Sequence, residues 1–235
     1  MNFIKINFRF VNLVLVSTLL LVGCGGGGGG GDGGSRGGNS SRPGTGFRVL
    51  HAALDTAPVD VVLGAEGTVR TLAEFSQASD WVSTAAGSQT VDLRRATTTT
   101  NIKSTSFSLS DGQVSSVLLY GDKESFGERL SVIDDSLPQV DSASAAVRVV
   151  HGVMGALQVT ASVDSQSLTS GTAIGQASDF VQVPASSAAT IRVRRAADGL
   201  LLYQSTQDLQ AGAAYTVLVS GNASYVSVGR VLRDK

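Results

Sequence analysis

The stretch "LSDGQVSSVLLYG", residues 109–121, decides the fold. An Asp-Gly turn signal leads into the run "VSSVLLYG", which is too short for a helix and too continuously apolar to alternate. Such a run fits a central strand covered on both faces. One hundred residues later it returns as "LQAGAAYTVLVSG", residues 209–221. Working outward, "FRVLHA" (47–52) returns as "VRVVHG" (147–152), "QASDW" (77–81) as "QASDF" (176–180), and "VDLRRA" (91–96) as "IRVRRA" (191–196). Four matches in one order, with a single slip of one residue at the QASD element, mean a duplication. A period near one hundred exceeds the roughly 20–50 residues of a solenoid unit, so each copy is read as a domain.

Each copy carries the same strand signals. In "VDLRR" and "IRVRR" apolar and polar residues alternate, placing Val91 and Leu93, or Ile191 and Val193, on one face. Short runs near 48–52, 59–63, 69–73, 81–84, 90–95, 104–109, 114–120 and 128–133 are separated by Gly, Asp, Ser and Pro. That spacing predicts an all-β fold of two tandem antiparallel β-sandwiches. Asp198-Gly199 in the second copy predicts a type I′ hairpin, where the first copy has a threonine-rich tip. The polar segment 134–145 predicts the connection between copies. The expected organisation is 47–135 for the first sandwich, 136–145 for the linker and 146–235 for the second.

The N-terminus reads as an export signal: Lys5 and Arg9 precede an apolar run from Phe10 to Val22. Its thirteen residues fall short of the roughly 20 needed to cross a bilayer. "LVGC", Leu21 to Cys24, resembles the lipobox of bacterial lipoproteins, in which a peptidase cuts before a cysteine that carries diacylglycerol and is then acylated, in part as palmitate. The expectation is a signal peptide over 1–23 and lipidation at Cys24. Cys24 is the one cysteine, with no partner for a disulfide and no neighbours for a metal. Several acyl chains give stable anchoring, at about 0.8 kcal/mol per buried methylene. Residues 25–46 then hold thirteen glycines in 22 positions. No strand precedes them and no Lys-Ser/Thr follows, so they are no phosphate loop. Together with Cys24 they form a tether over 24–46, spanning roughly 25 Å root-mean-square as a flexible coil.

Composition removes some function classes. The 235-residue chain has 18 Lys+Arg against 19 Asp+Glu, a formal −1. Cleavage would remove Lys5 and Arg9 and no acid, two positive charges fewer, taking −1 to −3. No basic surface for nucleic acid is expected, nor an electrostatic membrane patch. Membrane attachment rests on the lipid. Gly25, following Cys24 where an Asp would favour inner-membrane retention, points to the outer membrane of a Gram-negative cell, on its periplasmic or surface face.

The runs "RVLHAALDTAPVDVVL" (48–63), "FSQASDWVSTAAGSQTVDLR" (75–94) and "LSDGQVSSVLLYG" resemble a bacterial family known as domain of unknown function 4397. The resemblance covers about 47–135 and, more weakly, 146–233. The second copy departs from it where Asp55, Pro58 and Asp60 become Gly155, Gln158 and Thr160. The resemblance implies an immunoglobulin-like or transthyretin-like sandwich, often exported or lipid-anchored, with no known activity.

No constellation predicts a chemistry. His51 and His151 are the two histidines, equivalent in the repeat. His51 has Asp55 and Asp60 nearby in sequence, but the second copy keeps the histidine without either acid. Both are therefore read as structural, bonding backbone at a strand end. One histidine per copy cannot make the three- or four-ligand site a metal needs. The QASD elements are read as turns, with Ser and Asp bonding backbone locally and Trp81 or Phe180 plugging the sandwich, rather than as a sugar platform. Serine hydrolysis lacks a G-x-S-x-G elbow. Asp134-Asp135 and the pair Asp122/Glu124 have no distinguishing setting for glycosidase or calcium chemistry. Arg94-Arg95 and Arg194-Arg195 point to opposite faces, and so form no clamp unless the strand bulges. No catalytic residue, metal or cofactor is assigned, and no ligand site. The expected function is a non-enzymatic, lipid-anchored binding or structural protein contacting envelope protein or glycan, the alternative being an envelope polysaccharide hydrolase.

Overall fold

The computed structural model describes residues 41–64, 72–124, 127–225 and 227–234. The signal peptide, Cys24 and most of the tether lie outside the described residues. The first copy contributes β1 (Gly46–His51), β2 (Val59–Leu63), β3 (Leu72–Ala73), β4 (Gln77–Ala78), β5 (Val82–Ser83), β6 (Gly87–Arg95), β7 (Asn101–Leu109), β8 (Val114–Tyr120) and β9 (Arg129–Asp134). The second contributes β10 (Ser144–Met154), β11 (Gln158–Val163), β12 (Gln166–Ala173), β13 (Val181–Pro184), β14 (Ser186–Arg195), β15 (Leu201–Leu209), β16 (Ala214–Asn222) and β17 (Ser227–Arg233). Each copy is a sandwich of two sheets. In the first, β4-β1-β8-β9, with β5 also on β1, faces β3-β2-β6-β7; in the second, β13-β10-β16-β17 faces β12-β11-β14-β15.

The pairing is antiparallel apart from one ladder in each copy. β1 runs parallel to β8, with Val49 opposite Val117, and β10 parallel to β16, with Val149 opposite Val217. After β1 the chain crosses to the facing sheet for β2 and β3, touches back on β1 with the short β4 and β5, builds β6 and β7 on the facing sheet, and returns as β8. A crossover of that length is what a parallel neighbour requires.

Burial of β8 on both faces is as the continuous apolar run predicts. Val117 and Leu119 join Phe47, Val49, Val61 and Leu93 in the first core. Leu118 points the other way, into a third cluster with Leu50, Ala52, Val150 and Leu218. That third cluster belongs to both copies. Each fully buried Leu or Val in it contributes about 1.5–3 kcal/mol relative to exposure. The approach is tight at Gly152, where a Cβ would stand 2.4 Å from the Cβ of Ala52. Only glycine fits there.

Two local readings need correction. The Asp198-Gly199 hairpin is not a type I′ turn, because Gly199 has φ +74° while Asp198 stays out of the left-handed region. The loop spans residues 196–200, closed by the Gly199 N–H on the Arg195 carbonyl at 2.9 Å. Its extra residues follow from a register shift between Val193 and Arg194. The first copy shifts at the same point, between Leu93 and Arg94, so the arginine pairs sit on a bulge that both copies keep. Packing also reaches upstream of β1: Arg42 donates to the backbone carbonyl of Asp135.

Candidate functional site

The alternation of β1 sends Phe47 and Val49 into the core and therefore turns Arg48 to the opposite face, against the second copy. Arg148 in β10 is its counterpart. Both are 3% exposed, so each guanidinium must be paired where it lies. Arg48 donates through Nε to Ser116 Oγ at 3.0 Å and through Nη2 to Asp234 Oδ1 at 2.7 Å. Arg148 donates through Nε to Thr216 Oγ1 at 3.0 Å, and its other nitrogens reach the Asp135 carboxylate and the Asp134 carbonyl. Each aspartate is also held by a hydroxyl of its own copy: Ser116 on Asp135, and Thr216 on Asp234 at 2.5 Å. The arginine of each copy thus reaches the terminal aspartate of the other. Burial pushes Arg148 down to about 10, an effect that Asp234 opposes, and it stays a cation at neutral pH.

The QASD elements complete this seam: the Ser79 and Ser178 hydroxyls donate to the adjacent Asp80 and Asp179 carbonyls at 2.8 and 3.0 Å, as the local reading expects, but the placing of the aromatic in the sandwich core is corrected. Ser79 Oγ accepts from the Val49 N–H at 2.9 Å, and Ser178 Oγ from Val149 N–H at 3.0 Å. The element thus stitches onto β1 or β10 as a short edge: Leu50 pairs with Ala78, and Val150 bridges to Ala177. Trp81 and Phe180 are half-buried outside the sandwich cores. Each ring lies 4.5 Å from a guanidinium carbon, of Arg48 and of Arg148 respectively. A cation over an aromatic face contributes about 0.5–2 kcal/mol. Arg42 adds a second cation to Trp81 at 5.3 Å.

The histidines sit at the far end of the same strands, fully buried. His51 Nε2 bonds the Ala57 carbonyl at 3.2 Å and His151 Nε2 the Ala156 carbonyl at 2.9 Å. His151 Nδ1 accepts from Val153 N–H at 3.2 Å, which fixes the neutral ring with its proton on Nε2. Burial pushes His151 down to about 4 and lowers His51 as well. The acids near His51 in sequence are not its hydrogen-bond partners. Asp60 accepts from the Thr97 N–H at 3.0 Å, and Asp55 occupies a turn at φ 58°.

The arginine pairs do not share a ligand. Arg94 bonds Asp92 at 3.4 Å, Arg194 the Gly199 carbonyl at 2.9 Å, and Arg195 pairs with Asp198, whose carboxyl it holds down at about 2. Among the described residues, no three His, Cys, Asp or Glu side chains converge as metal ligands.

Two clefts open along the seam. One, of about 310 Å³, is lined by Asp134, Arg148, Gln176, Ser178, Asp179 and Phe180. The other, of about 260 Å³, is lined by Tyr120, Arg129, Met154, Ala156, Leu157 and Ile174. Sequence reasoning passed over Arg48, Arg148 and the aspartate pairing. The available signal was an arginine kept inside an otherwise apolar strand in both copies, with an aspartate closing each copy's last strand.

The family model for a domain of unknown function, DUF4397, matches residues 45–160 and again 145–234. The chain belongs to that family. No curated protein matches it. Among solved structures, a candidate cell adhesion protein from Bacteroides uniformis is 9% identical, covering 81% of this chain and 99% of its own, at a TM-score of 0.26. Another candidate cell adhesion protein, from Bacteroides ovatus, is also 9% identical, covering 80% and 95%, at 0.20. Likenesses at these TM-scores do not bear on what the chain does.

Proposed function

We propose that this two-copy member of the DUF4397 family is a non-enzymatic binding or structural module of the cell envelope. It is held by lipidated Cys24 on a glycine tether and contacts envelope protein or glycan. The observation that carries this reading is the reciprocal seam. Arg48, Arg148, Asp135 and Asp234 bond one another and their own hydroxyl partners, so the buried charges hold two sandwiches together rather than face a substrate. The lipobox-like "LVGC" and the glycine run that follows support the anchor, and Gly25 supports the outer membrane as its destination.

The test of the anchor is Cys24→Ser in the full chain. It is expected to abolish fatty-acid labelling, leave uncleaved precursor, and release the protein from its place in the outer-membrane fraction. Labelling that persists in this variant refutes it.

One observation favours the alternative, hydrolysis of envelope polysaccharide: Asp134 and Asp179 both line the larger cleft. Asp134 Oδ1, however, accepts from both the N–H and the hydroxyl of Ser136, at 3.0 and 2.8 Å. Polysaccharide cleavage by the protein that disappears in both Asp134→Asn and Asp179→Asn would replace the module reading.

A further inference from the structure

The smaller cleft has the makings of a ligand site. Tyr120 and Arg129 are direct cross-strand partners on β8 and β9. Opposite them stand Met154, Ala156, Leu157 and Ile174 of the second copy. The Tyr120 ring is pressed on the second copy's backbone, since a Cβ at Gly175 would come within 2.4 Å of it. The cleft therefore exists only because the copies pair.

Its walls are apolar, and Leu157 at its mouth is 85% exposed, a large aliphatic side chain left in water. Two polar side chains join this apolar lining, those of Arg129 and Tyr120. Among the described residues neither has a hydrogen-bond or ion-pair partner. The nearest acid in sequence, Glu128, is engaged by the Thr56 hydroxyl at 3.1 Å. An apolar pocket with a few convergent polar groups is the usual form of a small-molecule site.

The fold does not demand this pair. At the equivalent register of the second copy, Ser220 faces Val228, and the turn Gly155-Ala156-Leu157 has Asp55-Thr56-Ala57 as its counterpart. The residues that build the cleft are thus peculiar to one side of the seam. Its position is also telling. From Arg148, beside the chain connection, β10 runs six residues to Met154, roughly 20 Å at strand rise. The cleft lies at the strand ends away from Arg42 and Asp234.

Size and charge narrow the ligand. A volume of about 260 Å³ holds about eight or nine groups of water or methylene size, at ~30 Å³ each. The cation calls for an anion. We propose that this cleft binds a medium-chain aliphatic carboxylate, with its chain between Met154, Leu157 and Ile174 and its carboxylate on Arg129 and Tyr120. The proposal rests on the binding-module reading and names a ligand for it, but it is independent of the lipid anchor.

The test uses the full chain as expressed, in lipid nanodiscs, titrated with isotope-labelled octanoate and, separately, with octanol. Saturable octanoate binding is expected, weakened at least tenfold by Arg129→Gln while octanol binding is unchanged. Leu157→Glu, at an exposed position that spares folding, is expected to weaken octanoate at least as much. Octanoate uptake that does not saturate, or that is equal in wild type and Arg129→Gln, overturns the proposal. So does tighter binding of a peptide ending in a free leucine carboxylate, which would assign the cleft to a chain terminus. Failure of octanoate to bind, with Cys24 labelling intact, removes this ligand and leaves the anchored module standing. Saturable, Arg129-dependent binding without labelling does the reverse.

Discussion

The two copies are close where their buried charges meet across the seam, and different at their hairpin tips and at the other end of the seam. Arg48 and Arg148, Ser116 and Thr216, Asp135 and Asp234, and Ser79 and Ser178 occupy matching places with matching bonds. The hairpin tips have diverged, and so has the cross-strand pair, Tyr120 with Arg129 against Ser220 with Val228. The difference follows from where each partner lies. Asp135 is bonded by an arginine of the second copy and Asp234 by one of the first, so a change in either copy strands a charge in the other. A change at an outer tip strands nothing.

The largest effect expected from breaking this relation is at the aspartates. Removing one partner of a buried ion pair typically costs 3–5 kcal/mol, because the remaining charge stays buried. Asp135→Ala and Asp234→Ala should each fall in that range in urea unfolding. Asp135→Ala should be the larger, since the guanidinium groups of both Arg48 and Arg148 lie against Asp135. Because the seam and the third apolar cluster are shared, the loss should shift one cooperative transition. Two transitions, one of them unmoved, would mean that the copies unfold independently and that the reciprocal bonds do not couple them.

The histidines give the next effect, and here the copies diverge in detail. Both nitrogens of His151 are bonded, whereas Nδ1 of His51 has no partner among the described residues. His151 titrates at about 4 in the folded protein, against roughly 6.5 in an unfolded chain. Between those values the unfolded state binds the proton and the folded state does not. The associated stability is therefore complete above pH 6.5 and lost as pH falls toward 4. The loss is at most ~3 kcal/mol, at 1.36 kcal/mol for each unit. His151→Gln can keep the donor to Ala156 and should cost no more than about 1–2 kcal/mol at pH 7.5. Its deficit should close as the pH is lowered and reverse by pH 4.5, where the linkage has taken more than that cost from wild type. Parallel stability curves would show that burial of the neutral ring is not what the pH dependence reports.

How far the sequence carried the fold can be argued from β8. Its run of apolar residues announced cover on both faces, and the repeat announced two of everything, so the sandwiches and most of their strands were legible. What covers the second face of β8 was not. The partner of Leu118 is a set of residues from both copies, among them Val150 and Leu218, and no local pattern names a partner a hundred residues away. The parallel β1–β8 ladder was hidden for the same reason, because hydrophobic pattern fixes which face is buried but not strand direction. The role of Trp81 was misjudged because an aromatic beside a turn reads as a core plug. Its actual neighbour, Arg48, is buried only once the copies meet. The histidines were the opposite case. Their bonds run five or six residues along the chain, to Ala57 and Ala156, and local structure of that kind can be read from a sequence.

The finest test of the paired copies is a swap at the contact between Gly152 and Ala52. Gly152 faces Ala52, and a Cβ added there would lie 2.4 Å from the Ala52 Cβ and 3.2 Å from the Val219 carbonyl oxygen. Gly152→Ala alone forces β1 and β10 apart and should cost about 1–3 kcal/mol, as overpacking does. Ala52→Gly alone removes a buried methyl and relaxes a strand, for a cost of about 1 kcal/mol. The double variant restores one methyl at the contact on the other side of the seam. If the copies meet in equivalent fashion, it should stand within about 1 kcal/mol of wild type, a coupling of the size contacting residues show. The Val219 carbonyl is what limits the rescue, since it stays in place whichever copy supplies the methyl. Costs that simply add in the double variant would mean that this carbonyl, not Ala52, is what requires glycine at 152, and that the equivalence of the copies stops short of this contact.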